Sequence, residues 1–362
     1  MIGTAAAAAL AAAAALLPYA NAGTPDVAHR LSAPDAARLG TGLASELGAR
    51  QAGWYFDADS KQLVMNVLDP HTAATVRKHG GAARIVANSG AELRSTAAYL
   101  RHEAAVPGTA WSIDPRTNKV VVSADRTVTR TGMETLNRAA AQRQRTMTVQ
   151  RSKGAFRPYK GTTKATGTHG STARGGDPIF GAGARCSLGF NVTRAGAPAF
   201  LTAGHCGNAS RTWSADQQSR APLGTVAESA FPRTDFALVS YADQAARPPS
   251  EVALGGGRTQ PITHAANASV GMEVQRSGST TGVTGGTVTG LDATVNYGDG
   301  EVVSGLIQTD VCAEPGDSGG SLFAGDAAVG LTSGGSGDCT QGGQTFFQPV
   351  TTALKATGSR LG

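Results

Sequence analysis

Residues 312–320 of the chain read CAEPGDSGG, and residues 200–206 read FLTAGHC. Glycines flank Ser318, which leaves room for a substrate and lets backbone N–H groups turn toward developing negative charge. A serine hydroxyl is a weak nucleophile at neutral pH, so it needs a base within hydrogen-bond reach, and His205 is a suitable one. The two stretches together predict a serine nucleophile that a histidine activates.

A third stretch, residues 231–239, reads FPRTDFALV and places Asp235 at the start of an apolar run. A carboxylate buried without a partner is costly, and a catalytic histidine needs an acceptor on its other nitrogen. Asp235 is therefore expected to pair with His205. Asp243 is the nearest competing carboxylate, in a polar context typical of a solvated turn, and His264 lacks comparable surroundings. The order His205, Asp235, Ser318 is that of chymotrypsin-type enzymes.

Composition supports a folded chain of more than one domain. The chain has 362 residues, of which 40% are hydrophobic and 16% charged, which excludes a disordered chain and a coiled coil. Residues 1–172 contain 21 Lys and Arg against 11 Asp and Glu, a net charge of +10, whereas residues 173–362 contain 11 against 15, a net charge of −4. This distribution argues against a nucleic-acid-binding module and suggests that the two halves touch.

The N-terminus and the cysteines indicate export. Residues 1–22 contain a short apolar run that ends at Ala20-Asn21-Ala22, which is typical of a secretory signal. No other run is apolar enough to span a membrane. The four cysteines all lie in the second half, and an even number in an exported chain favours disulfides. Three pairings are possible, of which Cys186–Cys206 with Cys312–Cys339 is the most local. A zinc site is disfavoured because no C-x-x-C spacing occurs.

The chain divides into four segments on these patterns: a signal peptide (1–22), an α+β region (23–151), an exposed linker with processing sites (152–172) and an all-β domain (173–362). In the α+β region a strand-strand-helix-strand pattern occurs twice, with helices at 71–79 and 132–145. The linker is rich in Lys, Gly, Thr and Ser. The all-β domain has short Gly-separated strands and one terminal helix from Val350 to about Thr357.

The second half resembles the secreted chymotrypsin-fold serine proteases of Streptomyces, the griseus protease A and B type, which are related to α-lytic protease. The strings that carry the resemblance are RCSLGFNV (185–192), LTAGHC (201–206), STTG (279–282), CAEPGDSGG (312–320), LTSGGSG (331–337) and TFFQPV (345–350). The first half resembles the pro-region of that family more loosely. The resemblance implies a double β-barrel, chymotrypsin-like protease domain that follows an α+β pro-domain.

The resemblance also implies roles for individual residues. His205 would act as general base and then acid, Asp235 would orient it, and Ser318 would attack the scissile carbonyl. The backbone N–H groups of Gly316 and Ser318 would form the oxyanion hole. Asp317 would turn inward to pair with Arg276, and the two local disulfides match the family. The implied substrate-binding residues are Ala313, Glu314, Pro315, Thr332, Ser333, Gly334, Gly335 and Thr345.

The function implied is a secreted serine endopeptidase that is made as a zymogen and works through an acyl-enzyme, without a cofactor or metal. Two pocket glycines leave room for a large side chain, and Thr332 stands where glutamate-specific relatives carry histidine, so large apolar residues are expected at P1, the substrate residue before the scissile bond. The pro-region would assist the folding of the protease domain and inhibit the enzyme until it is removed. Expected partners are protein and peptide substrates, the pro-region and proteinaceous inhibitors, with neither nucleic acid nor a membrane. A catalytically silent, protease-like binding protein is the alternative.

Three places for the processing cut remain open at this stage: before Ala173, after Tyr159, and after Arg174, which would suit a different protease. Alignment with the family's N-termini places the start of the mature enzyme near Ala173. Thr172, however, is a poor P1 residue for an apolar pocket, and Tyr159 would suit that pocket better as a first cut. Cleavage by the enzyme itself and cleavage by another protease are both possible.

Overall fold

The computed structural model describes residues 28–162 and 173–362, so the predicted signal segment lies outside the described residues. Within these two ranges no helix is long and apolar enough to cross a membrane.

The first half contains two similar α+β units. Its elements are α1 (Ala33–Leu47), a 3₁₀ turn (Gly48–Arg50), β1 (Gln51–Asp57), β2 (Gln62–Val67), α2 (Pro70–Lys78), β3 (Ala82–Ile85), α3 (Gly90–His102), β4 (Thr109–Asp114), β5 (Lys119–Ala124), α4 (Arg130–Gln142) and β6 (Met147–Arg151). The predicted strand-strand-helix-strand repeat is present as β1-β2-α2-β3 and β4-β5-α4-β6. The structure adds a helix before each hairpin, α1 and α3, which the sequence interpretation missed.

Polar side chains cap the N-termini of these helices. Ser32 accepts a hydrogen bond from the Asp35 backbone N–H at the start of α1, and Asp69 accepts one from Thr72 at the start of α2. Ser89 and Glu92 form a reciprocal capping box at the start of α3. Such caps satisfy N–H groups that the first helical turn leaves unpaired.

The second half is built almost entirely from strands. Its elements, with two short strands of the preceding segment, are β7 (Arg157–Pro158), β8 (Gly161–Thr162), β9 (Pro178–Gly181), β10 (Ala184–Ser187), β11 (Phe190–Arg194), β12 (Ala197–Thr202), α5 (Gly204–Ala209), β13 (Thr212–Ser214), β14 (Pro222–Ala230), β15 (Phe236–Tyr241), β16 (Glu251–Gly255), β17 (Arg258–Pro261), β18 (His264–Ala265), β19 (Glu273–Gly278), β20 (Gly282–Asn296), β21 (Val302–Thr309), β22 (Ser321–Ala324), β23 (Ala327–Asp338), β24 (Gly342–Pro349), α6 (Val350–Thr357) and β25 (Ser359–Leu361).

These strands form two sheets, one after the other along the chain. The first sheet has the order β25-β11-β12-β15-β14-β13-β9-β10-β8. In the second sheet β19, β22, β23, β24, β21 and β20 form a closed ring, because β19 pairs with both β22 and β20. The expected all-β, chymotrypsin-like protease domain after an α+β pro-domain is confirmed.

The pro-domain joins the second barrel through a shared sheet. Strand β4 runs antiparallel to β20, with Ile113 opposite Leu291 and Thr109 opposite Asn296, so that β4, β5 and β6 continue the barrel sheet outward. This strand pairing brings the two halves into contact, as their opposite net charges had suggested.

The expectation of an exposed linker from residue 152 is wrong for its first part. Phe156 and Tyr159 are buried, with exposed fractions of 4% and 1%. Phe156 packs edge-on against Phe346, and Arg157–Pro158 pairs with β23. The polar composition of the segment concealed the burial of both aromatic side chains, of which only Tyr159 had been linked to the protease pocket.

Candidate active site

Three separate elements bring the predicted catalytic side chains to one place where the two sheets meet. His205 lies on the short helix α5, directly after β12. Asp235 immediately precedes β15, and Ser318 lies in the turn that precedes β22. All three are buried, and Asp235 and Ser318 are fully so.

These side chains form one continuous hydrogen-bonded chain. The Ser318 Oγ lies 2.7 Å from His205 Nε2, and His205 Nδ1 lies 2.9 Å from Asp235 Oδ2. An ionised carboxylate only accepts hydrogen bonds, so His205 donates its Nδ1 proton to Asp235. Nε2 is then free to accept the hydroxyl proton of Ser318, which is the arrangement a serine nucleophile requires.

Asp235 is held on both of its oxygens. Oδ1 accepts a hydrogen bond of 2.9 Å from the backbone N–H of His205, and Oδ2 accepts one of 2.6 Å from the hydroxyl of Ser333. The Asp235 backbone N–H donates to Oε1 of Gln348 at 2.8 Å. These contacts fix the carboxylate in the plane that His205 needs and satisfy a charge that has no access to water.

The turn before Ser318 directs a backbone donor into the cleft. Gly316 adopts φ +108°, a conformation that L side chains rarely adopt. Its N–H donates a 2.5 Å hydrogen bond to the carbonyl oxygen of Tyr159. Gly316 was predicted to supply one of the oxyanion-hole donors, and in this structure that donor holds a peptide carbonyl of the same chain.

Four of the predicted pocket residues, Ser333, Gly334, Gly335 and Thr345, contact the segment that contains the buried Tyr159. Gly334 and Gly335 lie opposite Pro158 and Arg157 in the β23–β7 pair, and the Tyr159 N–H donates to the Ser333 carbonyl at 3.3 Å. The Tyr159 side chain is hydrogen-bonded to Thr345, and burial raises the pKa of its phenol, so it is neutral.

The other residues predicted to line the pocket differ in how deeply they are buried. Ala313 and Thr332 are buried, whereas Glu314 and Pro315 are half-buried at the rim. The Thr332 hydroxyl donates to the Gly320 carbonyl at 3.1 Å, which ties it to the serine turn.

Asp317 turns away from the cleft and pairs with Arg276, as the family resemblance implied. Asp317 Oδ1 lies 3.3 Å from Arg276 Nη1, and both side chains are fully buried. Burial lowers the pKa of Arg276, and the Asp317 carboxylate opposes that shift. The carboxylate also accepts hydrogen bonds from the backbone N–H groups of Thr280, Thr281 and Glu314.

The two disulfides have the expected pairing, Cys186–Cys206 and Cys312–Cys339. The first ties β10 to the helix that carries His205, and the second braces the stretch before Ser318. Within the described residues, Cys186, Cys206 and His205 are close enough to resemble a metal-binding group. Because both sulfurs are oxidised in the disulfide, they are not available as thiolate ligands.

Sequence reasoning missed several contributors to the site. Ser333 was expected only to bind substrate, yet its hydroxyl also orients Asp235. Gln348 lies within a string that was quoted without a role, and Tyr297 contacts Ser333 at 3.2 Å without any local signal. The rejected candidates Asp243 and His264 are exposed side chains.

Family comparisons agree with this geometry over both halves. Sequence models described as alpha-lytic protease pro N-terminal, alpha-lytic protease prodomain and trypsin match residues 25–86, 88–144 and 185–357. Streptogrisin-D of Streptomyces griseus is 52% identical over 335 residues, which cover 92% of this chain and 82% of that protein. The chain belongs to the streptogrisin family of serine proteases. It is a chymotrypsin-like serine endopeptidase made with a pro-domain.

Other streptogrisin relatives match smaller parts of the chain. Streptogrisin-A of Streptomyces griseus is 48% identical, and the match covers 71% of this chain and 79% of that protein. Among solved structures, one described as a glutamic acid specific serine protease that utilizes a novel histidine triad in substrate binding has a TM-score of 0.51 and 46% identity. The match covers 52% of this chain and 100% of the chain in that structure.

Proposed function

We propose that Ser318, His205 and Asp235 are the catalytic residues of this streptogrisin. This proposal rests on the continuous series of hydrogen bonds from Ser318 Oγ through His205 to Asp235, with distances of 2.7 and 2.9 Å. His205 takes the hydroxyl proton as Ser318 attacks the scissile carbonyl carbon, and it returns the proton to the leaving amine. Water then hydrolyses the acyl-enzyme by the same route. Asp235 stabilises the imidazolium that forms in each step.

The same proposal assigns the oxyanion hole to the backbone N–H groups of Gly316 and Ser318. Gly316 already donates to a peptide carbonyl at 2.5 Å, which is the ground-state counterpart of that contact. Losing one such donor typically costs about 100- to 1000-fold in rate.

Large apolar residues fit the pocket best at P1. Tyr159 fills it with only 1% of its surface exposed, and a Cβ at Gly335 would come within 2.7 Å of the tyrosine hydroxyl. The half-buried Glu314 is an acidic group near this cavity, which disfavours an acidic P1 side chain. A Cβ at Gly335 would also clash with the Gln344 carbonyl oxygen, so a side chain at this position would disturb strand β24 as well as narrow the pocket.

The pro-region would inhibit the enzyme and assist its folding. Residues 157–159 occupy the unprimed side of the cleft, and β4 pairs with the outer half of β20. The protease barrels depend on non-local strand pairs, which fold slowly because the long loops must close first. A preformed edge such as β4 would provide a template for the β20–β21 hairpin.

The proposal includes export and the processing of a precursor. The signal-like residues 1–22 support secretion, and the division into 23–151, 152–172 and 173–362 separates the pro-region, the processed segment and the enzyme. Proteinaceous inhibitors are proposed as further partners, since an extended strand already pairs with Gly334 and Gly335.

The catalytic test compares enzyme that an unrelated protease has released from the precursor with its Ser318→Ala variant released in the same way, on peptide anilides. Activity is expected with Tyr, Phe, Leu and Met at P1, together with fluorophosphonate labelling that Ser318→Ala abolishes. Preference for Arg, Lys or Glu would contradict the pocket assignment. A protein that is neither labelled nor active would instead be the silent binding protein.

The folding role is tested by refolding residues 173–362 with and without separately supplied residues 23–159. The supplied pro-region should raise the yield of active enzyme. Prompt, high-yield refolding without it would contradict the role.

A further inference from the structure

The segment from Phe156 to Thr162 passes through the cleft on both sides of Ser318. On the unprimed side, Arg157 and Pro158 lie opposite Gly335 and Gly334 in an antiparallel pair. Tyr159 adds a hydrogen bond from its N–H to the Ser333 carbonyl at 3.3 Å. A substrate strand bound for cleavage after Tyr159 would make these contacts.

The carbonyl of Tyr159 is held where a reacting carbonyl would be polarised. Its oxygen accepts the Gly316 N–H at 2.5 Å. This oxygen belongs to the peptide bond between Tyr159 and Lys160, so the Gly316 donor holds the carbonyl of that bond.

The chain then continues along the primed side of the cleft. Gly161 lies opposite Arg185, and Thr162 lies opposite Ala184, in the β8–β10 pair. A Cβ at Gly161 would come within 2.9 Å of the backbone N of Gly316, so this position suits glycine. Strand pairing on both sides of one peptide bond is the binding mode of an intact substrate.

We propose that the Tyr159–Lys160 bond is the first bond that the precursor hydrolyses, and that Ser318 of the same chain cleaves it. This inference rests on the proposed function. It places the first cut within the segment 152–172, upstream of the start near Ala173 that sequence alignment favours, so a species that begins at Lys160 forms before any shorter one.

The step balances as an ordinary hydrolysis. Ser318 Oγ bonds to the Tyr159 carbonyl carbon while its proton moves to His205, and the C–N bond to Lys160 breaks as His205 protonates the leaving nitrogen. Water then cleaves the ester. The products are the Tyr159 carboxylate, the Lys160 amine and free Ser318.

The segment that leads to Tyr159 contacts both the pro-domain and the protease domain of its own chain, and these contacts favour cleavage within one molecule. The Phe156 N–H donates to Asp125 Oδ2 of the pro-domain at 2.6 Å, and the Phe156 ring packs on Phe346 of the protease domain with centroids 5.8 Å apart. The Ser152 and Ser336 hydroxyl oxygens lie 2.7 Å apart. A tethered segment reaches an effective concentration of at least about 1 mM, far above that of a second micromolar precursor molecule.

The test follows the full-length precursor by intact mass and N-terminal sequencing from the start of folding. The earliest new N-terminus should be Lys160, with a half-time that stays constant over a 100-fold dilution. Tyr159→Phe is the matched control, because it keeps the ring in the pocket and should preserve the Lys160 terminus. Tyr159→Asp puts a charge in the pocket and should slow that cut at least about 100-fold.

Lys160→Pro separates pocket binding from bond cleavage. Lys160 is exposed, so the substitution spares the core, but it replaces the leaving N–H by a ring nitrogen with less room in the cleft. Loss of the Lys160 terminus is expected although Tyr159 is retained.

Two results would overturn the inference: a first N-terminus downstream of Lys160, or a half-time that lengthens in proportion to dilution. Fluorophosphonate labelling and tyrosine-anilide hydrolysis by the finally matured enzyme are measured in parallel. Activity without a Lys160 species refutes only this inference, whereas absence of both labelling and hydrolysis refutes the proposed function.

Discussion

Asp235 and Asp317 are both fully buried carboxylates beside Ser318, but they have different partners. Asp235 pairs with His205, a side chain that can gain and lose a proton during a reaction. Asp317 pairs with Arg276, whose guanidinium stays protonated in proteins. One carboxylate therefore supports a changing charge, and the other balances a constant one.

The two carboxylates also differ in what they hold in place. Asp235 fixes one residue above all, since its oxygens accept from both the ring and the backbone N–H of His205, and Ser333 adds a hydroxyl donor. Asp317 fixes backbone, since it accepts N–H groups from Thr280, Thr281 and Glu314 on two different loops. Removing the first should therefore affect catalysis, whereas removing the second should affect the stability of the fold.

The largest effect is expected for Asp235→Asn. The amide can present an N–H to His205 Nδ1, which favours the wrong tautomer, and kcat should fall about 10⁴-fold. The free energy of unfolding should change by only about 1 kcal/mol, because the Ser333 hydroxyl can reverse its role and accept a hydrogen bond. Anilide assays of enzyme that an unrelated protease has released, with urea denaturation of the precursor, check both numbers. A kcat within tenfold of wild type would contradict the role of Asp235.

Asp317→Asn should show the opposite balance. The substitution leaves the buried Arg276 charge unpaired and should lower the free energy of unfolding by about 3–5 kcal/mol. Urea denaturation of the precursor measures this in a Ser318→Ala background, which prevents self-digestion. The matched control is Asp243→Asn, the same chemical change at an exposed site, where a change within about 0.5 kcal/mol is expected.

A double variant sharpens the assignment. If the cost of Asp317→Asn arises from the stranded charge, adding Arg276→Met should recover part of the lost stability. A further additive loss would show that backbone contacts, rather than the ion pair, account for the effect.

Sequence reasoning anticipated both carboxylates because their chemistry limits the possible partners. Asp235 begins an apolar run and therefore needs a partner, which His205 provides. For Asp317, the family resemblance implied that it turns inward and pairs with Arg276. The all-β fold was equally legible, because the recognisable strings follow one another through nearly all of the second half.

The missed features depend on contacts that local sequence does not encode. Helix α1 contains Gly40, which weakens a helix prediction, but a Cβ there would come within 2.6 Å of the Trp54 ring. Tyr159 was expected to suit the pocket as a cleavage residue, but its burial there in the precursor was not expected, because the pocket is built by residues more than 150 positions away. Ser333 contacts Asp235 across 98 positions, so no local pattern could assign its hydroxyl. The caps of α1 and α3, Ser32 with Asp35 and Ser89 with Glu92, are missed signals that were readable from sequence.

Ser333→Ala tests how far the Asp235 arrangement depends on its second donor. The substitution removes the 2.6 Å hydrogen bond to Oδ2 but keeps the backbone carbonyl that receives the substrate N–H. A hydrogen bond to a charged group contributes about 1.5–3 kcal/mol, so kcat should fall by roughly 10- to 100-fold with KM nearly unchanged. Ser333→Thr retains a hydroxyl and should recover much of kcat. A rise in KM alone would make Ser333 a substrate-binding residue only.

The smallest effect is expected for Thr281→Val, which removes a hydroxyl donor from Asp317 as Ser333→Ala removes one from Asp235. The Thr281 hydroxyl donates to Asp317 Oδ2 at 2.7 Å and also accepts from Arg276, while the backbone donors to Asp317 remain. The near-isosteric valine should lower the free energy of unfolding by about 1–2 kcal/mol and leave kcat within a few-fold. Thr225→Val, at an exposed strand position, is the control and should change stability by less than about 0.5 kcal/mol. A loss of kcat without a loss of stability would mean that Asp317 acts on the reaction itself, and the contrast between the two carboxylates would fail.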